Sequence, residues 1–172
     1  TVAPGGTLKG VGVITANPFI QGTLAPGNSI GTLNVIGNVT FASGSHYLVE
    51  VSPAQNSLLN VTGDVTIQNG SSLGVTFDPG AYPANANYTI IQTTAGVSGT
   101  FSSVASMNAP SVNISVQYLP VGSPDHVDIV FTFSTLAKRS PPGNPKHVAV
   151  ALDDDNPPNG SDLRNVMNQL QM

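Results

Sequence analysis

A near-repeat 26 residues long constrains this chain more than any other feature. Leu33-Asn34-Val35-Ile36-Gly37-Asn38-Val39-Thr40-Phe41 and Leu59-Asn60-Val61-Thr62-Gly63-Asp64-Val65-Thr66-Ile67 share Leu, Asn, Val, Gly, Val and Thr in place at an offset of 26. The match continues past the next turn, where Gly44-Ser45 meets Gly70-Ser71, Val49 meets Val75, and Val51 meets Phe77. A weaker echo lies upstream: Ala3-Pro4-Gly5-Gly6-Thr7-Leu8 resembles Ala25-Pro26-Gly27 followed by Gly31-Thr32-Leu33, at an offset of 22 to 25. Periods in this range mark solenoids, whose units bury their apolar faces only by stacking on one another.

Within each unit the apolar residues alternate: Leu33 and Val35, Val39 and Phe41, then Leu48 beside Val49 and Val51. That is strand periodicity. Three strands of about five residues plus tight turns fill roughly 20 to 26 residues, one coil of a parallel β-helix with neighbours stacked about 4.8 Å apart. Leu33, Val35, Leu59 and Val61 then point inward and Asn34 and Asn60 outward, and a one-residue slip would expose a whole apolar row. The competing architecture is an antiparallel sandwich, which rarely carries in-register repeats. With only 8% charged residues, 18 Gly and 14 Pro, the chain lacks the charged wet faces of a helical bundle. It has no Cys, which removes disulfides and thiolate metal sites and suits an export route.

Beyond about residue 77 the repeat stops. Asp78-Pro79-Gly80 is a turn signal, Tyr88-Thr89-Ile90-Ile91 is a further strand, and Val112 to Tyr118 and His126 to Phe133 alternate over longer runs, joined by Pro120 to Pro124. An open solenoid end exposes strand edges and core, and residues 78 to 137 suit the closing of one. Tyr88, Ile90, Phe101, Ile114 and Phe131 are the expected inward anchors of this cap, with Ile91 replacing Ile90 if a bulge shifts the register.

Gly22-Thr23-Leu24-Ala25-Pro26-Gly27-Asn28-Ser29-Ile30-Gly31-Thr32-Leu33, Leu58-Leu59-Asn60-Val61-Thr62-Gly63, and the run from Tyr88-Thr89-Ile90-Ile91 to Gly96-Val97-Ser98-Gly99-Thr100-Phe101 resemble the C-terminal passenger region of Gram-negative autotransporters, the type V secretion proteins. The resemblance covers most of residues 22 to 137. It implies a β-helical passenger ending in an autochaperone region, a folding nucleus and cap at the outer membrane. Its implied partners are the protein's own translocator β-barrel, which this sequence lacks, and the outer-membrane assembly machinery. The implied location is the cell surface or the medium, anchored to or released from the outer membrane. The start, Thr1-Val2-Ala3-Pro4, has no basic n-region, so the chain is expected to be an excised passenger piece.

From Lys138 the composition changes: the four bases Lys138, Arg139, Lys146 and Arg164 and the four acids Asp153, Asp154, Asp155 and Asp162 stand among Pro-rich breakers. Residues 138 to 172 are expected to form a linker, disordered or with two short helices, the first capped by Asn144 and the second by Ser161. The resemblance implies that this linker leads to the barrel.

The chain offers little chemistry. His46, His126 and His147 are scattered, and no Ser sits in a nucleophile elbow. Asp125-His126-Val127-Asp128 puts at most two groups on one strand face, a solvated hairpin end rather than a metal site, and Asp153-Asp154-Asp155-Asn156 runs into Pro157-Pro158 where a calcium loop must turn. Glu50, Asp64 and Asp78 do not stack as carboxylate pairs at the 26-residue offset, so no glycoside-cleaving pair is formed. Lys9 is the sole base before Lys138, against five acids, which disfavours nucleic acid. The expectation is an all-β chain: a right-handed parallel β-helix over 1–77, a hairpin-rich cap over 78–137 and a short tail over 138–172. No catalytic, cofactor or metal site is expected, and the function is that of a folding nucleus and cap. The alternative is an adhesin or self-association module whose Thr, Ser and Asn face binds a host surface or another passenger, which binding of the isolated fragment to host cells would distinguish.

Overall fold

The structure is a computed structural model that describes residues 1–83, 86–109, 112–119 and 125–133. The chain divides into a unit Thr1–Thr132 and a unit Phe133–Met172, and beyond Phe133 the second unit lies outside the described residues. The expected tail helices and the Pro120 to Pro124 connection therefore fall outside them too.

The described residues hold fifteen strands and no helix, and the first fourteen are dealt in rotation to three sheets, while β15 joins the second. The first sheet takes β1 (Thr7–Gly10), β4 (Thr23–Pro26), β7 (His46–Val51), β10 (Ser72–Phe77) and β13 (Ser103–Ser106), neighbouring in that order. The second takes β2 (Gly12–Thr15), β5 (Thr32–Ile36), β8 (Leu58–Val61), β11 (Asn87–Thr93), then β15 (Asp125–Phe133) and β14 (Val112–Leu119). The third takes β3 (Phe19–Ile20), β6 (Val39–Phe41), β9 (Asp64–Ile67) and β12 (Gly96–Gly99). From β1 to β13 the pairing described is parallel. Every third strand thus returns to lie beside its predecessor, as short turns and apolar alternation require.

The register between β5 and β8 sets Leu33 on Leu59, Asn34 on Asn60 and Val35 on Val61. That between β6 and β9 sets Val39 on Val65 and Phe41 on Ile67. The 26-residue offset is therefore a stacking distance, and Leu33, Val35, Leu59 and Val61 are all buried in the core. Outside, Asn60 Nδ2 donates to Asn34 Oδ1 at 2.9 Å, and at the corner the Asp64 amide donates to Asn38 Oδ1 at 2.9 Å while the Asn38 amide donates to Asn17 Oδ1 at 2.8 Å. Stacked Asn side chains satisfy corner amides that the turns leave unpaired. Gly63 is required there, since a Cβ would meet the Gly37 carbonyl and Asn38 of the neighbouring turn.

Two expectations need correction. The upstream echo is not a stacking register: Leu8 lies beside Leu24 and Leu33 beside Gly12, because the first turn is shorter than the echo assumes. Parallel stacking also does not stop where the sequence repeat does. Val65 pairs with Val97 and Leu73 with Val104, since the loop after Phe77 adds residues and shifts the offset without changing the sheets.

Candidate functional site

The closing strands carry a set of specific side-chain contacts to the earlier strands. Here β15 runs antiparallel to β11, Tyr88 facing Ile129 and Gln92 facing His126, and the register shifts between Thr89 and Ile91. That bulge lets both Ile90 and Ile91 be buried, so the choice between them dissolves. A parallel sheet ends on a strand of opposite direction, whose far neighbour is β14.

An aromatic cluster fills the space under this strand. Phe131 stacks on Tyr88 with centroids 5.3 Å apart and meets Phe77 edge-on at 4.9 Å and Tyr82 at 5.3 Å. Such pairs contribute about 0.5 to 1.5 kcal/mol beyond burial. Tyr82 donates its hydroxyl to the carbonyls of Val51 and Asp78, each at 2.7 Å, and Tyr88 donates to Pro53 O at 3.1 Å. A second cluster joins Phe41, Tyr47 and Phe101. From it Tyr47 donates to Ile90 O at 2.6 Å, and Tyr118 of β14 accepts from the Phe101 amide at 2.8 Å. Hydroxyls thus tie coil residues to closing residues in both directions.

Further ties are amides. Asn108 mimics a strand, donating to Phe77 O at 2.8 Å while its Oδ1 accepts the Phe77 amide at 2.9 Å. Asn56 Nδ2 donates to Thr89 O at 2.5 Å and Ser57 O at 2.9 Å. Asp128, expected at a solvated hairpin end, is 1% exposed. Its carboxylate accepts from Asn87 Nδ2 at 2.6 Å and Thr89 Oγ1 at 2.7 Å, with His126 Nε2 at 3.5 Å, so neighbours on the outer sheet face supply what water would have supplied.

Of the anchors expected from sequence, Tyr88, Ile90, Phe101 and Phe131 are buried, and Ile114 is only half-buried on β14, which alternates half-buried and exposed positions. Its neighbours cover one face incompletely, so Ile114→Ala should cost less than a core truncation. Tyr47, Asn56, Tyr82, Asn108 and Tyr118 are not among those anchors. Tyr47 was legible as the inward partner of Leu73 at the same offset; the amides act across loops and leave no periodic signal.

All four tyrosines have hydroxyls pushed above the ordinary range, in each case first by burial; Asp78 adds to the shift at Tyr82. Their neutral forms are thus favoured in the folded chain. The stabilisation is complete below the unfolded tyrosine value near 10 and is lost as pH rises toward the folded values. Tyr47, the fully buried one, should remove up to about 1.4 kcal/mol per pH unit above that point, and the partly solvent-screened Tyr82, Tyr88 and Tyr118 less. An alkaline titration should therefore show phenolate absorbance appearing together with loss of β signal, not ahead of it.

No family model matches this chain. Over 158 residues it is 32% identical to the extracellular serine protease of Serratia marcescens, an alignment that covers 86% of this chain and 15% of that protein. The chain thus spans a small part of the relative's length, and what it shares with that extracellular protein is one segment.

Proposed function

We propose that this chain is the C-terminal part of a secreted autotransporter passenger, in which residues 1 to about 77 begin a right-handed parallel β-helix. Residues 78–137 serve as its non-catalytic folding nucleus and stabilising cap, and residues 138–172 link it to a translocator barrel. The observation that carries this reading is the antiparallel β15 closing the second sheet, locked by the Phe131 cluster and the tyrosine ties. An ordered end of this kind offers each incoming coil a ready surface, on which apolar burial at about 25 cal/mol per Å² proceeds without long loop closure. Kinship with an extracellular protease segment supports placement at the cell surface or beyond.

The test uses the full-length secreted protein. Ile129→Ala, in the closing strand, should leave membrane insertion intact and lower protease-resistant passenger at the surface several-fold, whereas Ile20→Ala, equally buried in an early strand, should spare display. Equal losses from both substitutions would leave only a plain end-cap.

A further inference from the structure

Asn69 and Gly70 sit at the exposed corner between β9 and β10. The sequence has two Asn-Gly dipeptides, and the other, Asn159-Gly160, lies outside the described residues. Asn is a thermally labile residue. Its side-chain amide carbon is open to attack by the backbone nitrogen of the next residue, and a following Gly has no Cβ to shield that nitrogen. This corner requires Gly for two reasons: Gly70 has a φ of +93°, and a Cβ there would run into Ser43 Oγ of the neighbouring turn.

A single hydroxyl distinguishes the corner. The Gly70 amide donates to Ser102 Oγ at 2.6 Å, and Ser102 Oγ donates to Asn69 Oδ1 at 2.8 Å. One oxygen thus lies within hydrogen-bond distance of both groups that would react, and a hydroxyl can accept a proton from one while giving its own to the other. The corner one coil earlier, Ser43-Gly44, is built differently. Ser stands there in the place of Asn69, and the Gly44 amide donates to the Gly70 carbonyl at 3.0 Å. Asn69, Gly70 and Ser102 are all exposed, so water reaches the site.

We propose that Asn69-Gly70 is a self-modification site, a deamidation through a cyclic imide in which Ser102 is the catalytic residue. The Gly70 nitrogen bonds to Asn69 Cγ while its proton passes to Ser102 Oγ and the Ser102 proton passes to Oδ1. Hydrogen bonding at Oδ1 stabilises the charge that develops there. The new hydroxyl then yields its proton to Nδ2, the Cγ–Nδ2 bond breaks and ammonia leaves, with Ser102 regenerated. Water opens the succinimide at either carbonyl, giving Asp at position 69 or an isoaspartyl link to Gly70. The isoaspartyl product lengthens the backbone by the Asn69 Cβ, in a turn whose Gly70 carbonyl accepts the Gly44 amide, and so loosens the tie between neighbouring corners.

The test incubates the full folded chain in warm, mildly alkaline buffer and maps its peptides by mass spectrometry over time, with isoaspartate told from aspartate by fragmentation. Asn69 should convert to both products. Ser102→Ala should slow that conversion by roughly tenfold or more, because the proton-transfer group is lost, and Ser102→Thr, which keeps the hydroxyl, should restore it. Conversion of Asn159, read in the same digests, should be the same in all three proteins. Both substitutions lie at an exposed corner and should leave the circular dichroism spectrum unchanged. An Asn69 that stays intact in the folded chain while Asn159 converts would overturn the proposal. So would conversion at Asn69 that is as fast or faster in Ser102→Ala, which would show that Ser102 only holds the corner closed.

Discussion

Val61→Asp should cost about 5 kcal/mol, comparable with the whole stability of a domain this size, and so leave the chain unfolded in dilute buffer. Val61 is fully buried, paired with Val35 on one side and Thr93 on the other, where a carboxylate would lose its water. The adjacent Asn60→Asp places its charge on the outer face, where desolvation is small. It is not free, because Asn60 Nδ2 donates to Asn34 Oδ1, and a carboxylate would set acceptor against acceptor at a cost of about 1 kcal/mol. Urea melts of the two variants followed by circular dichroism separate these outcomes. Equal midpoints would mean that inward and outward faces are wrongly assigned.

Phe131→Ala is the second large effect, expected at about 3 to 5 kcal/mol. The ring is nearly fully buried and lies against Phe77, Tyr82 and Tyr88, so its loss leaves a cavity among rigid aromatics whose hydroxyls are pinned to backbone carbonyls. Those hydrogen bonds prevent Tyr82 and Tyr88 from collapsing into the space. Phe131→Leu, which keeps much of the volume, should recover about half of the loss in a thermal melt.

How much of this was legible varies along the chain for physical reasons. Leu33 on Leu59 and Val39 on Val65 could be read directly, because identical side chains at a fixed offset are what stacked coils require of a sequence. The first strands could not, since Leu8 beside Leu24 depends on how few residues the early turns use, and turn length has no apolar signature. In the closing region periodicity revealed the strands around Tyr88 and Phe131 but not their direction, and it left the bulge beside Ile90 and Ile91 as one of two alternatives, which the register shift between Thr89 and Ile91 resolves by burying both. Asp128 was misread because a charge on an outer strand face is ordinarily solvated; only the structure brings Asn87 and Thr89 over it.

On the proposed nucleation role, the closing strands become structured before the early strands. The most direct measurement is a pair of φ-values from folding and unfolding rates of Ile129→Val and Ile20→Val. Both sites are fully buried, and each substitution should cost about 1 kcal/mol, enough for a reliable ratio. Nucleation at the closing strands predicts that Ile129→Val slows folding, with φ about 0.5 or above, while Ile20→Val mainly speeds unfolding, with φ near zero. The reverse order, or equal values at the two sites, would contradict it.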